Sequence, residues 1–349
     1  MARAVRSYVI RIVITTLAAI ALAALSSPEI VPAHTKLAPV RVQWYQGLLI
    51  NQSSVVALYA GIFKKHGLDV TLVPLASGPA TEAAVHAGSV EIGTQDVDQT
   101  MLNTHLDHLG FVNICGAEGP YYQVVASPAF LKTMSGSMTY PDVMKSFVGK
   151  RLGVTALGAD TNYFWNALFQ GAGLSPDAGH YVATGVGQTS LSAVEHGLVD
   201  ATMGFEPLTS IEVQHGSKII VNVSKGQGPP LTRGMSPQLI YFASKTWVDA
   251  HPDLAKAFND SILEAVKFQN DPKNFPQVLA IMKKAMGSIG EAQGFDRMVR
   301  DNIGPSSQTA LTIKSTKSWL EFAQAFLKFP KDVTVDAIYK EITWSNACK

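Results

Sequence analysis

Two stretches of this 349-residue chain repeat one pattern, and that duplication constrains the fold more than anything else in the sequence. The first reads Gly78-Pro-Ala-Thr-Glu-Ala-Ala-Val-His-Ala-Gly88-Ser-Val-Glu91-Ile. The second reads Gly187-Gln-Thr-Ser-Leu-Ser-Ala-Val-Glu-His-Gly197-Leu-Val-Asp200-Ala. Both carry Ala-Val near the middle and leave through Gly-x-Val-acid, and each follows a Gly-Leu pair, Gly67-Leu68 or Gly173-Leu174. Ahead of the first copy, Val55, Leu58, Tyr59, Ile62 and Phe63 fall at helical spacing, with Ser53 or Ser54 as N-cap and Gly67 as the left-handed C-terminal residue. Ahead of the second, Phe164, Trp165, Leu168 and Phe169 follow Asp160 or Thr161 and end at Gly173. Extended apolar stretches at 70–75 and 181–183 come next, then a polar loop, a second helix and a short strand at 91–94 or 200–204. The pattern predicts strand, helix, strand, helix, strand in each copy, an alternation that builds a mainly parallel sheet with helices on both faces. The expected fold class is α/β, as two similar doubly wound lobes.

Two further apolar runs, YYQVVAS at 121–127 and LIYFAS at 239–244, read as crossings between the lobes. They divide the chain into lobe one at 34–125, lobe two at 126–237 and a return to lobe one at 238–349, with hinges near Val125 and Gln238. After His251 the sequence is helical, over 252–270, 276–286, 289–302 and 315–329, and these helices are expected to pack on lobe one. At the amino terminus Arg3, Arg6 and Arg11 precede an uncharged run at 12–25 and then small residues, the parts of a secretory signal peptide. Cleavage is placed after Ala33, or alternatively near Ser26, and no cysteine follows the apolar core to carry a lipid. An exported, non-lipoprotein product is expected.

The whole chain carries 28 Lys+Arg against 27 Asp+Glu and is 47% hydrophobic. That balance excludes polyanion binding and a disordered tail protein. Without residues 1–33 it becomes 25 basic and 26 acidic residues, a charge of −1. Cys115 and Cys348 are too few for a disulfide scaffold or an all-cysteine zinc site, and whether they pair is open.

The chain resembles the periplasmic solute-binding proteins of bacterial ABC importers, in the subgroup that binds aliphatic sulfonates, taurine, nitrate and thiamine-pyrimidine precursors. The resemblance is carried by Val42-Gln-Trp44, by Ala57-x-x-Ala60-Gly61-Ile-Phe63-Lys-Lys-His-Gly67-Leu-Asp-Val70, and by Ala84-Val-x-x-Gly88-x-Val-Glu91-Ile-Gly93. In the second lobe it is carried by Val148-Gly-Lys150-Arg-Leu-Gly-Val154, Ala193-Val-x-x-Gly197-x-Val-Asp200-Ala201 and His251-Pro252-Asp-Leu-x-x-Ala257-Phe258. It spans about 40–275 and implies a type II periplasmic-binding fold joined by two crossing strands. It also implies a small-molecule ligand closed between the lobes, a partner permease in the inner membrane with its ATPase, and no cofactor. A monomer is expected, with no nucleic-acid partner.

Ligands of open α/β sheets bind beyond the carboxyl ends of the strands, near helix N-termini that offer free N–H groups. The loops so placed are 44–54, 76–81 and 94–98 in lobe one, and 157–162, 185–190 and 205–206 in lobe two. The candidate ligand-contacting residues within them are Trp44, Gln46, Asn51, Ser53, Ser77, Gly78, Thr81, Gln95 and Asp96 in lobe one. In lobe two they are Asp160, Thr161, Asn162, Gln188, Phe205 and Glu206. Serines and threonines here are placed to donate to a ligand or simply to cap helices, and Asp96 and Asp98 either face the ligand or cap the helix near Gln99. Trp44, Tyr45, Tyr163 and Phe205 offer stacking surfaces, and Arg233 is the one nearby guanidinium. The six loops hold no Lys or Arg. With Asp96, Asp98 and Glu206 on one rim, a doubly charged oxyanion is poorly served. A zwitterion of the aliphatic-sulfonate, taurine-like kind is the expected ligand, with a nitrogen-rich ring such as a thiamine-pyrimidine precursor, or nitrate, as the alternative.

An enzyme is the main rival. The histidines are scattered, His105 and His108 lack a third ligand at metal spacing, and neither Gly-x-Ser-x-Gly nor a phosphate-cradling loop occurs. No catalytic residue and no metal site is expected. A sensor that passes its ligand signal to a receptor is the remaining alternative.

Overall fold

In the computed structural model, which describes residues 36–233 and 235–349, the duplication appears as two five-stranded sheets of one topology. The signal peptide expected over 1–33 lies outside the described residues. In the first sheet β1 (Ala38–Trp44) pairs in parallel with β2 (Leu68–Pro74) and β3 (Ile92–Asp96). In the second, β6 (Arg151–Val154) pairs in parallel with β7 (His180–Ala183) and β8 (Ala201–Gly204). Each sheet then takes one antiparallel strand that reaches it from the other side of a crossing. β5 (Gln123–Ala126) enters between β8 and β9 (Lys218–Asn222), and β10 (Leu239–Ser244) between β3 and β4 (Phe111–Glu118). The orders β2-β1-β3-β10-β4 and β7-β6-β8-β5-β9 therefore correspond strand for strand.

The acid that ends each repeat has a shared structural task. Glu91, one residue before β3, accepts from the Arg41 backbone N–H at 2.6 Å and from its guanidinium. Asp200, one residue before β8, accepts from the Arg151 N–H at 2.9 Å and from Nη2 at 2.8 Å. Each pair ties the start of a sheet's central strand to its parallel neighbour, which fixes register where a slip would invert every side chain. Gly67 and Gly173 turn the chain from helix into β2 and β7 with φ of +82° and +75°, a conformation that disfavours any residue with a Cβ.

Several details depart from the sequence reading. The first crossing occupies 119–122, ahead of Val125, because Gln123 to Ala126 is already paired in the second sheet. Ser53 and Ser54 lie inside the helix Gln52–Tyr59, which starts after Asn51 without a side-chain cap. Asp160 and Thr161 likewise open the helix Asp160–Gly171 after Ala159. The helix read over 289–302 shortens to Phe295–Asn302, and a further helix, Val335–Ile342, follows. The C-terminal helices do not all serve lobe one alone. Ile313–Phe326 also lies against lobe two, where Phe322 stacks on Phe164 at 5.1 Å, while Trp319 donates to the Pro237 carbonyl at 2.8 Å. Among the described residues no helix is long and apolar enough to cross a membrane.

Cys115 and Cys348 form a disulfide across 233 residues of sequence. The final segment runs beside β4, with Trp344 N–H donating to Asn113 and Cys348 N–H to Ile114, each at 3.0 Å. Replacing both cysteines by serine should cost about 2–4 kcal/mol, as loop-closing bridges typically do. Thermal unfolding of wild type under reducing conditions should fall to the level of the double variant, and equal melting of oxidised and reduced wild type would contradict a stabilising bridge.

Candidate functional site

The carboxyl ends of the parallel strands in both sheets face one cavity. Lobe one supplies Tyr45, Leu48 and Ile50 from the loop after β1, Gly78 from a helix start, and Leu239 from β10. Lobe two supplies Thr155, Asp160, Thr161, Val186 and Phe205, and the first crossing supplies Tyr121 and Tyr122. The lobes touch around it. The Leu49 N–H donates to the Glu206 carbonyl at 2.9 Å, Gln214 Nε2 donates to the Gln293 carbonyl at 2.9 Å, and a Cβ on Gly187 would meet the Gln46 carbonyl at 3.0 Å.

Aromatic rings form the floor. Tyr121 stacks on Phe205 with centroids 5.8 Å apart, and Tyr122 meets both Tyr121 and Phe205 edge-on at 4.6 Å and 5.6 Å. The Tyr121 hydroxyl donates to Asp96 Oδ1, and Gln238 Nε2 donates to Asp96 Oδ2 at 2.9 Å. Since Tyr121 lies in the first crossing and Gln238 in the second, one carboxylate at the end of β3 holds both connections.

Asp160 lines the cavity, and Asp96 and Asp98 stand beside it. One carboxylate oxygen from each of Asp96, Asp98 and Asp160 lies within 4.8 Å of the others, and all three residues are buried. Neither oxygen of Asp98 has a hydrogen-bond partner, nor does Asp160 Oδ1. Asp96 sits at the N-cap position of the helix Val97–Met101 yet makes no side-chain cap, so capping does not explain the pair. The cavity lining holds no Lys or Arg; Arg233 is exposed and donates to the Gly226 carbonyl at 3.0 Å.

The candidates read from the sequence divide sharply. Gly78, Asp160, Thr161 and Phe205 line the cavity, and Asp96 stands beside Asp160. Asn51 and Ser53 face inward, Asn51 accepting from the Tyr45 N–H at 3.2 Å and Ser53 meeting the Tyr241 hydroxyl at 3.1 Å. Ser77 caps the helix Gly78–His86, Thr81 donates back to the Ser77 carbonyl at 3.0 Å, and Gln95 meets Thr100 at 2.6 Å. Asn162 accepts from the Gly158 N–H at 3.2 Å. Gln46 and Gln188 are exposed, and Trp44, buried at the end of β1, is absent from the lining, as is Tyr163. Glu206, expected on the acidic rim, accepts from Gln123 Nε2 and the Ser210 N–H, each at 3.3 Å, and lines an adjoining groove that shares Ile50 and Tyr121 with the cavity and also holds Lys225 and Arg297. The cis bond to Pro207 follows it. Tyr121, Tyr122, Leu48, Ile50, Thr155, Val186 and Leu239 were not among the candidates; only the crossing itself pointed to the tyrosines.

Burial governs the electrostatics. It pushes Asp96 up to about 6, against the pull of the Tyr121 and Gln238 hydrogen bonds. Asp98 and Asp160 stand well above the usual carboxylate range, first through burial and next through the charge of Asp96. Glu82, on the neighbouring helix, is raised by burial as well.

Residues 52–274 match the NMT1/THI5-like family. No curated protein sequence matches the chain. Among solved structures, a protein of Bordetella bronchiseptica RB50 is similar with TM-score 0.70 at 21% identity, over 88% of this chain and 95% of that one. The periplasmic nitrate-binding protein NrtA of Synechocystis PCC 6803 gives 0.67 at 15% identity, over 88% and 86%. The alkanesulfonate-binding protein SsuA of Xanthomonas axonopodis pv. citri, bound to MOPS, gives 0.65 at 15%, over 87% and 98%. At these identities the likeness is one of fold.

An acid whose folded pKa is raised contributes stability while protonated and loses it as pH rises through that value. The ligand-free protein should therefore be more stable at pH 5 than at pH 8, by about 1.4 kcal/mol from Asp96 alone. Asp98→Asn should raise the melting temperature at pH 8 and flatten the pH dependence. A wild type that melts higher at pH 8 would contradict this account.

Proposed function

Because the chain belongs to the NMT1/THI5-like family, we propose that it is the extracytoplasmic substrate-binding component of an ABC importer. In this reading it works in the periplasm and delivers a small organic molecule, held between two closing lobes, to an inner-membrane permease and its ATPase. The observation that carries the ligand class is the meeting of three buried carboxylates from both lobes, one of which, Asp160, lines an aromatic-floored cavity that holds no Lys or Arg.

In their ionised form these carboxylates accept hydrogen bonds and give none in return, so they select a ligand rich in N–H groups. Among the classes the resemblance implies, a nitrogen-rich ring of the aminopyrimidine kind fits best: its amino edge meets Asp98 and Asp160, and its faces meet Tyr121 and Phe205. A taurine-like zwitterion shares the ammonium and is the second reading. Its sulfonate would rely on the helix start at Asp160, which has no side-chain cap. Nitrate, with charge and no N–H, is disfavoured.

The wall supports binding rather than catalysis. It presents no His, Cys, Ser or Lys, and the Thr155 and Thr161 hydroxyls are engaged with each other at 3.1 Å. A receptor-coupled sensor would use the same cavity, so a permease partner stands on the family and on the expected leader.

A thermal-shift panel of aminopyrimidines, taurine, alkanesulfonates, nitrate and calcium tests the class. A ligand at a hundred times its dissociation constant should stabilise by about 2.7 kcal/mol. Stabilisation by nitrate or alkanesulfonates alone, or by calcium alone, would overturn the nitrogen-ligand reading. Asp160→Asn should weaken an aminopyrimidine at least about tenfold more than Glu206→Gln, consistent with a charged hydrogen bond, because Glu206 is turned to the other groove.

A further inference from the structure

Asp160 belongs to lobe two and Asp96 and Asp98 to lobe one, so their proximity exists only while the lobes touch. We propose that Asp160 is a specificity-determining residue which makes lobe closure conditional on a positive charge in the cleft. The inference rests on the cavity being the ligand site, not on which compound fills it.

The groups facing Asp160 come from every element around it, and none is basic. The helix Gly78–His86 contributes Glu82, whose carboxylate in turn senses Asp107. The end of β3 and the helix after it contribute Asp96 and Asp98. The loop after β1 contributes Tyr45, the first crossing Tyr121 and Tyr122, and its own helix Tyr163. Gln238 of the second crossing is committed to Asp96.

In the open protein Asp160 would be hydrated and distant from its counterparts. Closure strips that water and brings like charges together with nothing to balance them. Two things relieve the conflict: protons taken up by the carboxylates, or a cation between them. Asp98, wholly buried with both oxygens unpartnered, and Asp160 Oδ1 leave acceptors free for that cation. A neutral or anionic compound of the right shape can therefore lie on the aromatic floor without closing the lobes. Discrimination by charge then resides in closure, the state a permease would recognise, and not in first contact.

Small-angle scattering of the ligand-free protein tests this without any ligand. Wild type should be compact at pH 5 and expanded at pH 8, as the buried carboxylates lose their protons. Asp160→Asn should be compact at both, and Asp98→Asn should shift in the same direction, which guards against one variant that fails to fold; circular dichroism checks each. A wild type of unchanged dimensions between pH 5 and 8, or variants that keep the wild-type pH response, would overturn the proposal. With benzamidinium, a ring-bearing N–H cation that keeps its charge over this range, as probe, binding by wild type should strengthen up to about tenfold per pH unit between 5 and 6, as expected when one proton is displaced. A probe that fails to bind while the ligand-free compaction behaves as described refutes the ligand class and leaves the gating of closure standing.

Discussion

Each sheet is finished by a strand from across the crossing, and the rest of the architecture depends on that exchange. A parallel β1-β3 edge would otherwise present unpaired N–H and C=O groups, as would the edge of β8. The exchange satisfies both edges and leaves two connections side by side between the lobes. Because β5 and β10 run antiparallel to their neighbours, those connections emerge at the carboxyl ends of the parallel strands. The hinge and the floor of the cleft are consequently one structure, and Tyr121 serves in both.

Asp96 expresses this economy most clearly. Its carboxylate receives Tyr121 from one crossing and Gln238 from the other, so a group beside the cavity-lining Asp160 is also the polar tie between the connections. Burial that raises its pKa also makes the cluster with Asp98 and Asp160 unfavourable when fully charged. An arrangement that lowers the stability of the empty protein persists in binding sites because the missing partner arrives with the ligand.

The whole-chain charge is near zero and says nothing of this. Local charge is the informative quantity, and its absence of Lys and Arg was visible in the six loops. The identity of the facing acids was only partly visible. Asp96 and Asp98 follow β3 and Asp160 starts a helix, which places each at a carboxyl end; Glu206 satisfies the same rule, yet its side chain is taken by Gln123 and Ser210 and turned to another groove. The serines and threonines misled in the same way. Helix starts lie one or two residues from where cap preference puts them, and that shift redirects Ser53 from the cleft to Tyr241.

By itself the sequence determined the duplicated strand–helix alternation, the two crossings and the absence of basic residues in the cleft loops. These follow from local periodicity, from glycines with positive φ and from an acid that pins each central strand, all of which act within a few residues or within one repeat. Tertiary structure alone decided that Cys115 meets Cys348, that Ile313–Phe326 spans both lobes through Phe164, and that Asp160 stands against Asp96 and Asp98. Those outcomes depend on how two separately legible lobes are set against each other. That setting is fixed by side-chain packing and hydrogen bonding between residues far apart in the chain, for which local pattern carries no signal.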